Sequence, residues 1–103
     1  MSIKEAQAIV NDWIESTGKG YFAPVTNVAV LAEEVGELAH IVLRSHGEQK
    51  AKAGDDTSHE ALAGELADVL WVTLALANQL DVDMTEAFTK TLRKRQERDK
   101  NRF

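Results

Sequence analysis

The stretch Leu31-Ala32-Glu33-Glu34-Val35-Gly36-Glu37-Leu38 decides the fold, because it places acidic residues inside an apolar pattern of helical period. Leu31, Val35 and Leu38 recur at the spacing of one helix face. Glu34 lies three residues after Leu31 and four before Leu38, so it belongs to the face that should turn toward the core. Glu37 follows one turn later. The stretch therefore predicts a helix that carries carboxylates toward the protein interior.

A second stretch, Gly64-Glu65-Leu66-Ala67-Asp68-Val69-Leu70-Trp71, repeats the pattern. Asp68 is the only charged residue between residues 66 and 77, and Glu65 precedes it by three residues, on the same helix face. The apolar run predicts that Asp68 is buried. An isolated carboxylate in such surroundings would cost several kcal/mol unless it is neutralised, paired or bound to a cation. Two acidic pairs on two helices indicate four carboxylates that converge on one positively charged ligand.

The rest of the chain is also helical in pattern. Ser2 and Glu5 form a candidate capping box for a first helix over residues 2–16, and Gly18-Lys19-Gly20 ends it. Pro24 suits the first turn of a second helix that reaches about residue 44. Thr57 to Glu60 offers a capping box for a third helix ending near residue 80, and Asp83 or Thr85 caps a fourth. We expect an all-α, four-helix, bundle-like fold.

The 103 residues suit one domain, residues 1–103, with a polar, flexible linker over residues 45–57 that is a candidate lid. The third helix is apolar on nearly all sides between residues 66 and 80, which three companion helices cover only in part. We therefore expect a homodimer or a homotetramer that completes the bundle.

Composition excludes several classes of function. The chain has no cysteine, which excludes disulfides, thiolate metal sites and cysteine nucleophiles and agrees with a cytoplasmic location. The polar N-terminus predicts no signal peptide, and the apolar run after Glu65 is too short and interrupted to cross a membrane. Residues 1–89 hold five basic and fifteen acidic residues, whereas residues 90–103 hold seven basic and two acidic ones. An acidic body with a basic tail, residues 93–103, does not suit a nucleic acid polymer; it suits a small, anionic, metal-bound ligand.

The ligand chemistry of the acidic residues favours a hard cation. Carboxylates without cysteine favour Mg²⁺ or Mn²⁺ over zinc. A carboxylate cage with open coordination positions is what phosphoryl chemistry uses, because the metal neutralises phosphate oxygens and lowers the pKa of a bound water. The alternative for a single cluster of glutamates is a solvated helix surface.

The acidic pattern Glu33-Glu34-x-x-Glu37, a spacer, then Glu65-x-x-Asp68 resembles the signature of the all-α nucleotide pyrophosphohydrolases of the MazG type. Further matches are Tyr21 to Thr26, Gly47 to Gln49, Leu76 to Asn78, and Lys94 with Arg98 to Lys100, so the resemblance covers nearly the whole chain. It implies that Glu34, Glu37, Glu65 and Asp68 bind Mg²⁺. It implies that Glu33 orients or deprotonates the attacking water, or holds a further metal.

The implied reaction is hydrolysis of a (deoxy)nucleoside triphosphate to the monophosphate and pyrophosphate, as in nucleotide-pool house-cleaning. Lys94 and Arg98 match phosphate-contacting positions of the family; the alternative is a solvated helix end whose cations favour the helix dipole. Asn78 is a candidate for hydrogen bonding a sugar or phosphate, or else an amide at a helix C-terminus. Phe22, like Trp13 and Trp71, is a candidate for stacking on a base, or else a core residue.

Two other functions stay open. One is a non-catalytic helical interaction module, motivated by the apolar surface of the third helix. The other is a di-iron carboxylate bundle, because Glu37-x-x-His40 has the spacing such sites use. The second acidic stretch has Asp68 where that site needs a histidine, so His40 is expected at the surface or behind a ligand.

Overall fold

The first helix begins where its sequence offers a cap. The computed structural model describes residues 1–47 and 50–102, and α1 spans Ile3–Ser16. The Ser2 hydroxyl accepts from the backbone N–H of Glu5 at 3.1 Å, and the Glu5 carboxylate accepts from the N–H of Ser2 at 3.0 Å. The capping box is thus confirmed. Lys19 and Gly20 have positive φ and end the helix, with the N–H of Gly20 donating to the carbonyl of Ile14.

The other helices are α2, Pro24–Ser45; α3, His59–Gln79; and α4, Met84–Asp99. Pro24 is the first residue of α2, as predicted. The cap of α4 is Asp83, whose carboxylate accepts from the N–H of Glu86. The predicted Thr57–Glu60 capping box of α3 is wrong, because Ser58 is the cap and accepts from the N–H of Ala61. The described residues contain four helices and no strand, which confirms the all-α, bundle-like fold.

Two of the other helices pack against α3. α2 and α3 form an antiparallel hairpin, α1 packs on α3, and α4 contacts α1. The buried core lies between α1 and the C-terminal half of α3, and consists of Val10, Ile14, Leu74 and Ala75. Between residues 28 and 73, Ile41 is the only buried hydrophobic residue among those described. One end of the hairpin is therefore covered by α1, whereas the other end consists of α2 and α3 alone.

A network of hydrogen bonds joins α1, α3 and the start of α4 at the end of the hairpin that α1 covers. The side chain of Gln7 donates to Asn78 at 3.1 Å and to the carbonyl of Val82 at 3.0 Å, and it accepts from the N–H of Met84 at 2.9 Å. Asn78 in turn donates to the carbonyl of Gln7 at 2.9 Å. These bonds fix α1, α3 and the start of α4 relative to one another.

The linker and the basic tail have more structure than composition alone suggests. Residues 48 and 49 of the predicted linker, and Phe103 of the predicted tail, lie outside the described residues. α4 extends through the tail as far as Asp99. None of the helices, over the part of the chain that the structure describes, is long and apolar enough to span a bilayer.

Candidate metal centre

The helical hairpin brings three of the predicted carboxylates together. Glu34 lies in the middle of α2, and Glu65 and Asp68 lie three residues apart on the same face of α3. One carboxylate oxygen from each residue lies within 4.8 Å of the others. Residues from two separate stretches of sequence thus form one acidic group, which is named the carboxylate centre here and consists of Glu34, Glu65 and Asp68.

Close approach of like charges changes the protonation of Glu65. A hydrogen bond with Glu34, followed by burial and by the negative charges of Glu34, Asp68 and Glu37, raises the pKa of Glu65 to about 7. The bond with Glu34 requires a proton between the two carboxyls, which is why it favours the protonated form. In the absence of a cation, the centre therefore holds a proton near neutral pH.

The carboxylate centre fits a divalent cation. The Oε2 atom of Glu65 is buried and has no hydrogen-bond partner among the described residues. A buried carboxylate oxygen without a partner is costly, and a cation would satisfy it. Three carboxylates without nitrogen or sulfur ligands are the donor set of Mg²⁺ or Mn²⁺. The group contains no histidine, so it does not match the two Glu-x-x-His motifs of the di-iron alternative.

The remaining acidic candidates, Glu33 and Glu37, lie outside this group. Glu37 is exposed, yet its charge contributes to the raised pKa of Glu65. Glu33 is also exposed and points away from its neighbour Glu34, because successive residues of a helix diverge by about 100°. Asp68 is exposed rather than buried, so the expectation from its apolar run is wrong. The reason is that neighbouring Leu66 and Leu70 are themselves more than half exposed on α3.

An apolar pocket of about 220 Å³ is lined by residues one helical turn away from Glu34 on α2 and from Asp68 on α3. Val30 in its wall lies one helical turn before Glu34, and Val72 lies one turn after Asp68. The other lining residues include four aromatic side chains and three small or polar residues: Trp13, Tyr21, Phe22, Trp71, Gly18, Gly20 and Asn27, together with Ile14 and Ala75. Val30 and Val72 were not among the predicted site residues, although their four-residue spacing from Glu34 and Asp68 places them one helical turn from the centre.

Phe22 and Asn78, both predicted to contact substrate, occupy different surroundings. Phe22 lies at the pocket rim and is 69% exposed, so it is not a core residue. Asn78 lies ten residues beyond Asp68, about 15 Å along the helix axis, and its amide group is engaged by Gln7.

The two basic residues proposed to contact phosphates lie on α4. Arg98 donates two hydrogen bonds to Asp99, each at 2.8 Å, and Lys94 is exposed one turn earlier. Within the described part of this chain, α4 packs against α1.

His40 is partly exposed on α2 and contacts Asp55 in the linker. This agrees with its expected place near the surface. Among the described residues, the carboxylate centre therefore consists of acidic side chains and includes no histidine.

A pH dependence of stability follows from Glu65. Its carboxyl pKa is about 7 in the folded, metal-free protein against 4.5 for an ordinary glutamate, so the folded state holds the proton more tightly. The unfolding free energy should therefore fall as pH rises from about 4.5 to 7 and then level off. Thermal melts in EDTA between pH 5 and 8 measure this.

Glu65→Gln is the control for that experiment, because it removes the titrating group. The unfolding free energy of this variant should change less between pH 5 and 8 than that of the wild type. The carboxyls with lowered pKa, which are those of Glu5, Asp55, Asp56 and Asp99, act in the opposite direction and only at lower pH. An equal pH dependence in wild type and Glu65→Gln would contradict the raised pKa.

Comparison with known proteins agrees with this architecture. The sequence model of the MazG nucleotide pyrophosphohydrolase domain matches residues 22–103, and the chain belongs to that family of hydrolases. It is 39% identical over 102 residues to the protein YpjD of Bacillus subtilis (strain 168), covering 99% of this chain and 90% of YpjD.

Two crystal structures are similar to this fold. That of Bacillus subtilis YpjD has a TM-score of 0.80 at 38% identity, covering 91% of this chain and 94% of the other. That of the Bacillus-conserved MazG protein, a nucleotide pyrophosphohydrolase, has a TM-score of 0.76 at 33% identity, covering 91% and 88%. The four-helix architecture and the family are therefore those that the acidic motifs implied.

Proposed function

We propose that this protein hydrolyses (deoxy)nucleoside triphosphates to the monophosphate and pyrophosphate with Mg²⁺, and that Mn²⁺ can substitute. The observation that carries the proposal is the carboxylate centre, where Glu65 has a buried oxygen without a partner. Glu34, Glu65 and Asp68 hold the metal, and Glu37 completes the set from one turn further along α2. Removal of unwanted nucleotides from the cytoplasmic pool is the role that fits.

In the proposed reaction, water is added across the anhydride bond between the α and β phosphates. When bound, Mg²⁺ neutralises phosphate charge and lowers the pKa of a coordinated water. Glu33, which is exposed on the neighbouring face of α2, orients or deprotonates the attacking water. The hydroxyl goes to one phosphorus and the proton ends on the departing phosphate oxygen, so atoms and charge balance.

The apolar pocket gives the base a place one helical turn from the metal. Its aromatic walls suit a planar heterocycle, since base–aromatic stacking contributes about 1–3 kcal/mol. Asn78 remains a candidate contact for sugar or phosphate only if its bonds to Gln7 exchange on binding. Phe22 at the exposed rim is the better candidate in this structure.

Phe22→Ala should raise KM for the preferred nucleotide about tenfold while leaving the melting temperature nearly unchanged. The side chain is mostly exposed, so its removal leaves no cavity. Steady-state kinetics and thermal melts measure the two effects. Phe88→Ala is a matched control, because Phe88 is 59% exposed on α4 and does not line the pocket. An unchanged KM in Phe22→Ala would remove Phe22 from the substrate contacts.

A second apolar face of α2 supports a homo-oligomer. Val25, Val28, Ala32, Val35, Ala39 and Val42 alternate three and four residues apart, and all six are exposed. This set is named the α2 seam. It is about 25 Å long and carries no charged residue, and a Cβ placed on adjacent Gly36 would meet no atom within 4 Å. The heptad spacing and the small residues suit close packing of another helix.

The occupant we propose for the α2 seam is a second copy of this chain. The radius of gyration is 16.6 Å, whereas a compact chain of 100 residues has about 13 Å. No large side chain of the described residues is fully buried. A chain that lacks a complete core needs a permanent partner, and a second copy is always present. Pairing would also let Lys94 and Arg98 of one copy reach the phosphates at the carboxylate centre of the other copy. The positive charge of the tail would then complement the negative charge of the rest of the chain.

Pyrophosphate release from a panel of canonical and modified nucleoside triphosphates, with Mg²⁺, Mn²⁺ or EDTA, tests the proposal. Monophosphate and pyrophosphate formed only with metal would support it and reveal the base preference. Orthophosphate would mean that a different bond breaks. Metal binding without turnover of any nucleotide would favour the helical interaction module, for which the α2 seam is the supporting observation.

A further inference from the structure

The linker contains an ion-paired contact that the proposed reaction does not use. The Asp55 carboxylate lies 3.3 Å from Nε2 of His40 and 3.4 Å from Nε of Arg44, which are one turn apart on α2. The side chains of Arg44 and Asp55 are mostly shielded, with 15% and 21% exposure. These three residues are named the Asp55 clasp.

The local backbone holds Asp55 in position. Its N–H donates to the carbonyl of Lys52 at 3.0 Å, and its carboxylate accepts from the N–H of Lys52 at 2.8 Å. Gly54, with φ of 90°, occupies the turn position that favours glycine. These bonds, with the contact to His40, hold the pKa of Asp55 below its usual value, so it is charged at neutral pH.

A short stretch of chain connects Asp55 to the start of α3. Ser58, the N-cap of α3, lies only three residues beyond Asp55, a span of at most about 11 Å. Asp56 shortens the connection further by accepting from the N–H of Ser58 at 3.1 Å. The start of α3 is thereby held against the end of α2.

The carboxylate centre needs such a restraint. Glu34 on α2 brings a carboxylate oxygen within 4.8 Å of those of Glu65 and Asp68 on α3, and like charges this close repel one another. This half of the hairpin has Ile41 as its one buried hydrophobic residue in the described chain, and α1 packs at the other end. The apolar packing there is small, and Asp55 supplies an attractive contact between α2 and the segment leading into α3.

We propose that Asp55 is a positioning residue, which holds α2 and α3 at the separation that lets Glu34, Glu65 and Asp68 bind one divalent cation. The inference rests on the proposed metal centre. Asp55 touches neither metal nor substrate; it acts through the two helices. Its removal should weaken metal binding because the carboxylates must then be brought together at the moment of binding.

Calorimetric titration with Mn²⁺ alone, at pH 8 and without nucleotide, tests this role. Asp55→Asn should bind Mn²⁺ about tenfold more weakly than wild type, the range found when residues that orient metal ligands are replaced. Asp56→Asn is the matched control, since it removes the same charge one residue away, keeps the oxygen that accepts from Ser58, and forms no ion pair with α2 among the described residues. It should stay within about twofold of wild type.

A second variant separates positioning from general loss of structure. Arg44→Met retains the aliphatic packing of the side chain and removes its charge. It should weaken Mn²⁺ binding in the same direction, and the double variant Asp55→Asn with Arg44→Met should show less than the sum of the two effects. Circular dichroism confirms that each variant is folded at the titration temperature. If Asp55→Asn does not fold, Arg44→Met alone carries the comparison.

The outcomes distinguish the two proposals. If the wild type binds Mn²⁺, and Asp55→Asn and Arg44→Met bind it as tightly as the wild type does, the positioning role is overturned and the metal centre stands. Wild type that binds no Mn²⁺ would overturn the metal centre and the positioning role with it. Weaker binding in both variants but not in Asp56→Asn supports the inference.

Discussion

Asp68→Asn should lower kcat for pyrophosphate release by on the order of 10²–10³-fold, in a protein that remains folded. Asp68 contributes one of the oxygens that lie within 4.8 Å of each other in the carboxylate centre. Asparagine has nearly the same shape but no charge, so it is a poor ligand for Mg²⁺. Because Asp68 is exposed, the substitution creates neither a cavity nor a buried unpaired group. Steady-state kinetics, Mn²⁺ titration and thermal melts measure the three consequences.

The metal-free variant should also lose part of the repulsion at Glu65, since the charge of Asp68 is one cause of its raised pKa. Glu60→Gln is the control: it removes an exposed carboxylate from the first turn of the same helix, outside the carboxylate centre. Full activity in Asp68→Asn would show that Asp68 is not a metal ligand, whereas a similar loss in Glu60→Gln would indicate a general charge effect.

Val35→Arg should dissociate the proposed homo-oligomer into monomers. Val35 lies near the middle of the α2 seam and is 47% exposed in the single chain. An arginine there would bring a charge to an apolar helix contact from both copies, because a two-fold interface repeats every residue. We expect the dissociation constant to rise on the order of a hundredfold, which corresponds to about 3 kcal/mol. Analytical ultracentrifugation over a range of protein concentrations measures it.

Loss of assembly should raise KM for the nucleotide if Lys94 and Arg98 act across the interface. Mn²⁺ binding by the dissociated protein would show that the carboxylate centre within each chain is undamaged. Ile9→Arg is the control, since Ile9 is 49% exposed on α1 and lies outside the α2 seam. An unchanged oligomeric state in Val35→Arg, or a monomeric wild type, would refute this use of the seam.

Much of the fold was predictable because helix signals are local. Ser2 with Glu5, Pro24 and Asp83 each define a helix start through residues within four positions of one another. The start of α3 was predicted one residue early, since Thr57 and Ser58 are both acceptable caps and only the backbone decides between them. The family resemblance added the pairing of the acidic motifs.

Contacts between distant segments were less predictable. Helical periodicity placed Glu34 on the inner face of α2, but the exposure of Asp68 depends on where α1 ends its cover of α3. The engagement of Asn78 by Gln7 joins residues 71 positions apart, and no local pattern indicates it. The contact of Asp55 with His40 and Arg44 likewise comes from a polar linker whose composition predicts only flexibility.

The edge-to-face pair of Trp13 and Trp71 provides an intrinsic spectroscopic signal for the packing of α1 on α3. The chain's two tryptophans lie with ring centroids 5.6 Å apart and planes at 83°, one from α1 and one from α3, in the wall of the apolar pocket. Two indoles at this separation couple their electronic transitions, so their near-ultraviolet circular dichroism reports the docking of α1 on α3. The same signal should respond when a molecule enters the pocket that both rings line, which allows ligands to be screened without any label.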